Sequence, residues 1–311
     1  MKWQLDGRAE NIEAVTERGT VLDGVLFANT DGEADTVVIA ITGIHGNFYS
    51  NPFYFNFGDT LKAGGIHFVY AQVCDAFGEI RTRNVRTGSE EVIGSWNERF
   101  SYAAEDIRAY IDWAEGAGYR HIVLAGHSLG ANKVIRYLAE THDSRVDRFL
   151  LLSPANVEYL TAEVTDEEKR IVSDMCESGR GSERLPFDLL GWIPCIADTA
   201  HDWLFSDTLN NVHVEADRDF SQVRAVSCSG ALLIGTRDTF TYGGAHTCDR
   251  ADVAERMGVR GWDWGVPPLA RGRAFERNAL HFSLRVCQRQ TRGFRYRFIA
   301  SFATPPNFSF Q

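Results

Sequence analysis

Ser128 sits between two glycines in the run Leu124 to Val134, LAGHSLGANKV. The pentapeptide Gly126-His127-Ser128-Leu129-Gly130 follows the apolar stretch HIVLAG and precedes ANKVIRYLAE, a good helix former. A serine on a sharp strand-to-helix turn is held with its hydroxyl exposed, and flanking glycines let neighbouring backbone approach without a Cβ clash. The chemistry open to such a serine is nucleophilic attack, given a base to take its proton and donors to hold the resulting oxyanion. The structural alternative is a plain βα turn. Motif and context together favour the nucleophile.

The elements that must position Ser128 are legible as apolar runs. Thr36 to Thr42, Gly65 to Ala71, His121 to Gly126 and Arg148 to Ser153 lack the alternation of a half-exposed sheet and read as buried parallel strands. A fifth run, Ala231 to Gly235, follows much later. Between the second and third strands, Ala103, Ile107, Tyr110, Ile111 and Ala114 recur at helical spacing. Strand, helix, strand, helix, strand implies an α/β fold with a doubly wound, mostly parallel sheet. The gap from Pro154 to about Cys228 is too long for a simple crossover. Its first part, TAEVTDEEKRIVSDM, carries capping residues and acids suited to a helix start. Its second, LPFDLLGWIPCIADTAHDWLF, is rich in apolar and aromatic residues, which could face a site or simply pack. The expected organisation is a core over 1–153, a helical cap insertion over 154–228, and the last part of the core over 229–311.

With its elbow serine and strand order, the chain resembles the α/β-hydrolase superfamily, in its serine esterase and lipase branch, from about Asp35 to Asp238. Superfamily members with an aspartate at this position, the haloalkane dehalogenases and epoxide hydrolases, fit less well. The resemblance implies an α/β-hydrolase fold, hydrolysis of a small-molecule carboxylic ester through an acyl-enzyme, and no metal or organic cofactor. It implies oxyanion donors at the backbone N–H of Leu129 and, through the His45-Gly46 pair after the first buried strand, of Asn47. The order Ser, acid, His points to Asp238, just past ALLIG, as the acid. For the base it leaves His281, which allows room for an intervening strand and helix, with His246 in GGAHTC as the alternative. His45 precedes the nucleophile and has the place of the oxyanion motif, whereas His127 reads as elbow packing. His67 and His121 read as structural, and His142, His201 and His213 lack a supporting motif. Asp207 is a weaker candidate for the acid. Thioester cleavage, acyl transfer, or a non-catalytic protein that binds through the cap are the rival readings.

Composition narrows the partners. A formal charge of -10 argues against non-specific nucleic-acid binding, which requires a basic patch. No stretch approaches the roughly 18 apolar residues of a membrane helix, and MKWQLDGRAENIEAV lacks a signal-peptide core, so a cytoplasmic protein without stable membrane insertion is expected. Oligomeric state is not encoded in any motif. Six scattered cysteines, with no zinc-ligand spacing, read as mostly free thiols. The residues from Ala251 onward hold ten arginines, no lysine and four acids, a local +6, while the residues before them carry -16. This ending reads either as an unusual natural terminus or as the product of a late change of reading frame. Finally, FYSNPFYFNF, Phe48 to Phe57, could line a pocket or fill the core.

Overall fold

A computed structural model of the chain describes residues 9–29, 34–51, 53–206, 208–209, 221–233, 282–283 and 299–300. The strands are β1 (Glu10–Val15), β2 (Val21–Phe27), β3 (Thr36–Ile41), β4 (His67–Ala71), β5 (Ile80–Asn84), β6 (Ser89–Ile93), β7 (His121–His127), β8 (Val146–Leu152) and β9 (Ser229–Leu233). Seven of them form one sheet in the order β1-β2-β4-β3-β7-β8-β9. Its members β4, β3, β7, β8 and β9 run parallel, and β1 and β2 add an antiparallel edge. The buried strands fall on the apolar runs, with ends moved by one or two residues; β9 begins at Ser229, ahead of the expected Ala231. The edge pair and the β5–β6 hairpin carry charged and polar residues among their apolar ones, so their sequences lack the continuous apolar signature. A further antiparallel pair joins β10 (Phe282–Ser283) to β11 (Ile299–Ala300).

Both faces of the parallel strands are buried, which is why they read as unbroken apolar runs. On one face Val37, Ile39, Ile41, Val69 and Ala71 pack with Ile107, Tyr110 and Ile111 of α2 (Ala103–Gly116) and with Val134, Ile135 and Leu138 of α3 (Leu129–Thr141). The intervening residues Val38, Ala40, Phe68 and Tyr70 point the other way, toward Tyr54 and Leu61 of α1 (Phe53–Ala63). The aromatic stretch belongs mainly to this second layer: Phe48 and Tyr54 are buried, Phe55 and Phe57 pack alongside, and Tyr49 stays exposed. The chain passes from β3 to β4 on one side and returns to β7 on the other. Ligand sites in open α/β sheets form at such a reversal, beyond the carboxyl ends of the strands.

Between the neighbouring strands β8 and β9 the chain makes α4 (Val157–Thr161), α5 (Asp166–Glu177), α6 (Ala197–Phe205) and α7 (Ser221–Ala225). Thr165 caps α5 with a reciprocal capping box to Glu168, in keeping with the threonine and acids of that segment. Leu189, Ile193, Cys195 and Trp203 pack with Phe100 and Leu129, so most apolar residues of the second part serve packing. Among the described residues no helix is long and apolar enough to cross a membrane. Cys74, Cys176, Cys195 and Cys228 are free thiols; Cys248 and Cys287 lie outside the described residues.

The turn after β8 is tied to α3 through one side chain. Asn132, fully buried, donates from Nδ2 to the Ala155 carbonyl at 3.0 Å and accepts at Oδ1 from the Ala155 N–H at 3.0 Å. Replacing Asn132 by Ala leaves two buried backbone groups unpaired and should cost on the order of 3 kcal/mol of stability. The check is the urea midpoint of the purified chain, which should fall without a change in secondary structure.

Candidate functional site

Ser128 stands between β7 and α3 with φ 53° and ψ -128°, a strained conformation for a residue with a side chain. Its N–H donates to the Leu152 carbonyl at the end of β8, 3.0 Å away, and its carbonyl accepts from the Ala131 N–H at 2.9 Å. The two flanking glycines are required by close backbone approach. A Cβ on Gly126 would come within 2.5 Å of the Gly130 carbonyl oxygen, and one on Gly130 within 2.3 Å of the Thr42 carbonyl oxygen. Gly130 therefore presses α3 onto the end of β3, which brings the loop after β3 beside the serine.

Gly43 makes that contact directly: a Cβ there would lie 2.8 Å from Ser128 Cβ and 3.3 Å from its Oγ. Beyond Gly43 the loop coils tightly. The His45 N–H donates to the Asp75 carbonyl at 2.9 Å, that of Gly46 to the Gly43 carbonyl at 2.8 Å, and that of Phe48 to Gln72 Oε1 at 2.9 Å. Asn47, the residue marked by the His-Gly pair, is buried, but its N–H donates to Asn51 Oδ1 at 3.1 Å. The Asn47 side chain is engaged as well, accepting from the N–H groups of Tyr49 and Ser50 and donating to the His45 carbonyl. By contrast, the N–H groups of Ile44 and Leu129 have no partner among the described residues. That of Leu129 is one of the orphan donors at the start of a helix, where the macrodipole also favours negative charge.

The histidines divide as follows. His45 adopts φ 60°, sits edge-on to Trp192 at 5.4 Å, and has a pKa lowered by burial, partly offset by the Asp75 charge. The His127 ring packs against Tyr54. Structural roles account for His67, which bonds Tyr119 Oη and the Asn29 N–H, and for His121, paired with Asp147 at 2.9 Å. His142 closes α3 in a left-handed conformation, and His201 packs on Phe205. Asp238, His246 and His281 lie outside the described residues, as do Asp207 and His213.

Behind the loop lies a buried charge cluster that no motif in the sequence marks. Lys133 Nζ, five residues past Ser128, pairs with Asp75 Oδ2 at 2.7 Å and with Glu98 Oε1. All three side chains are at most 3% exposed. A lysine four residues after Leu129, on the same helical face, is the available signal. Burial works against the Lys133 charge, but Asp75 and Glu98 more than offset it and hold its pKa above the ordinary lysine range. Burial, reinforced by the charge of Asp75, pushes the Glu98 carboxyl up to about 8 despite Lys133. Nearby, Asp106 accepts from Arg18 Nη2 at 2.6 Å and from the Cys74 N–H at 3.0 Å, and Arg18 also pairs with Glu105 at 2.7 Å.

No family model matches the chain, and no curated protein matches it. Solved structures do. It is similar to DcsB in complex with its substrate analogue (14% identity, 80% of this chain and 86% of that one, TM-score 0.56). It is also similar to the alpha/beta hydrolase GrgF from Penicillium sp. sh18 (13%, 80% and 86%, 0.54) and to Est1E from Butyrivibrio proteoclasticus with ferulic acid bound (14%, 80% and 86%, 0.52). With the sheet order and the elbow, these likenesses give the chain the α/β-hydrolase fold.

Two measurements follow from this geometry. Gly43→Ala forces a methyl group against Ser128 and must shift the turn locally, so the rate of Ser128 labelling by an organophosphonate probe should drop roughly 100-fold in the fraction that remains folded by circular dichroism. Because the folded-state pKa of Glu98 lies above its unfolded value, its contribution to stability is complete below about pH 4.5 and is lost as pH rises through about 8. Glu98→Gln, which cannot ionise, should therefore gain stability relative to wild type between about pH 5 and 9, read from paired denaturation curves.

Proposed function

We propose that this chain hydrolyses carboxylic esters through an acyl-enzyme on Ser128. The observation that carries the reading is the strained Ser128 turn packed against Gly43, where the two segments that meet carry the N–H groups of Leu129 and Ile44, without a partner among the described residues. Engagement of the Asn47 N–H by Asn51 moves the second oxyanion donor back to Ile44, the residue after the glycine in contact with the nucleophile.

In this mechanism Ser128 Oγ attacks the ester carbonyl while a histidine takes its proton. The carbonyl oxygen gains negative charge and is held by Ile44 and Leu129. Collapse of the tetrahedral species expels the alcohol, which receives the proton from the histidine, and water then releases the acid by the same steps in reverse. Asp238 is assigned to hold that histidine in its productive tautomer, with His281 as the base and His246 as the alternative. The 154–228 segment serves as a cap over this end of the sheet, supported by Trp192 resting against His45 of the oxyanion loop. The chain's own groups supply nucleophile, base and oxyanion donors, and the substrate is a small-molecule ester.

The experiment is hydrolysis of p-nitrophenyl acetate, butyrate and a longer ester by wild type beside Ser128→Ala. Wild type should turn over, with the variant at least about 10³-fold slower. Equal rates in the two proteins would sink the proposal and favour a binding role. Asp238→Asn should fold yet lose on the order of 10³- to 10⁴-fold in kcat, and whichever of His281→Ala and His246→Ala matches that loss identifies the base.

A further inference from the structure

The Lys133 cluster touches three parts of the site at once. Lys133 belongs to α3, the helix that starts at the nucleophile. Asp75, whose carboxylate pairs with Lys133, also accepts through its carbonyl the His45 N–H that fixes the loop one residue past Ile44. Glu98 lies in the segment that anchors the β8–β9 insertion: the Glu98 carbonyl accepts from Thr199 Oγ1 at 2.8 Å, and the Trp96 carbonyl accepts from the Ile196 N–H at 2.8 Å. Arg99, the next residue, pairs with Asp198 at 2.7 Å. None of these groups takes part in the bond changes described above.

We propose that the buried Lys133–Asp75–Glu98 cluster is a positioning device for the oxyanion loop, and that loss of the proton on Glu98 displaces that loop and sets the alkaline limit of turnover. This rests on the esterase reading for its kinetic part only. A single ammonium faces two carboxylates, so when Glu98 ionises the cluster gains a buried negative charge that Lys133 must share between Asp75 and Glu98. Its ion pair with Asp75 weakens, and the Asp75 carbonyl that holds His45 moves with it. The charged and titratable groups facing Glu98 are Asp75 from the segment after β4, Lys133 from α3 and Asp106 from α2, the last backed by Arg18 and Cys74. Burial holds the Cys74 thiol well above its usual range and lowers the pKa of His45, while burial and the charge of Asp75 push the Glu98 carboxyl up to about 8.

The test uses the full chain in two arms. In the first, the backbone amide signals of Ile44 and His45 are followed by NMR from about pH 6 to 9.5, a range that brackets the Glu98 titration. They should shift with a midpoint near pH 8 in wild type and stay flat over that interval in Glu98→Gln; absence of the shift, or the same shift in the variant, overturns the proposal. In the second, kcat and KM for p-nitrophenyl acetate are measured over the same range. Wild-type kcat should fall on the alkaline side with KM constant, the fall should be missing from Glu98→Gln, and Lys133→Met should lose kcat at every pH with little change in KM. Superimposable wild-type and Glu98→Gln profiles overturn it. If the Lys133→Met chain fails to fold, the near-isosteric Glu98→Gln decides by itself. Should wild type hydrolyse no ester, the esterase reading fails alone, and the amide titration still decides whether the cluster moves the loop.

Discussion

The geometry of this protein depends on a three-way approach of backbone that admits no side chains. The end of β3, the turn at Ser128 and the first turn of α3 come so close that Gly43, Gly126 and Gly130 each lack room for a methyl group. The positive φ of Ser128 is the cost of turning from strand to helix in so short a space, and surrounding structure must hold it. Leu152 does so from the neighbouring strand, by accepting the serine's N–H. The same tight packing brings the start of α3 against the loop after β3, so that Leu129 and Ile44, whose N–H groups have no partner among the described residues, lie on adjoining segments.

A second constraint is electrostatic. Two cations, Arg18 and Lys133, lie among four carboxylates, Asp75, Glu98, Glu105 and Asp106, on the side of the sheet that carries α2 and α3. Burying charges this densely is expensive unless each finds a partner. The stoichiometry falls short of full pairing, and the excess appears as a carboxyl, Glu98, that holds its proton near neutrality. An apolar packing of the same volume could fill this space. What it lacks is a directional link between α3, the segment after β4 and the segment around Glu98, which ionic hydrogen bonds provide.

Much of this is readable from residues alone. The five buried strands and α2 declare themselves because both faces of the sheet are covered, leaving continuous apolar runs, and Ser128 because only glycine tolerates its surroundings. The edge strands β1 and β2 are less legible, since Glu10, Glu13 and Asp23 break their apolar pattern. The loop after β3 is marked in the sequence by its His-Gly pair, yet the engagement of the Asn47 N–H by Asn51 is not legible there. Gly43 makes its contact with Ser128 only once β3 and β7 are adjacent, and nothing in a linear sequence distinguishes it. Lys133 illustrates a different failure: its helical face can be worked out from spacing, but a lysine is ordinarily assigned to solvent. The acid and the base, Asp238 and His281 or His246, remain assignments made from chain order.

The insertion between β8 and β9 is fastened at Trp96 and Glu98 through their main-chain carbonyls. A carbonyl presents the same acceptor whatever side chain accompanies it. Those main-chain points are joined by side-chain ones, the Arg99 pairs with Asp198 and Asp202 and the packing of Trp203 on Phe100, while β8 and β9 on either side are hydrogen-bonded directly to each other. The sheet is thus closed across the insertion by its own ladder, and a change within 154–228 reaches Ser128 through the contacts that the inserted residues make with Phe100, Leu129 and His45.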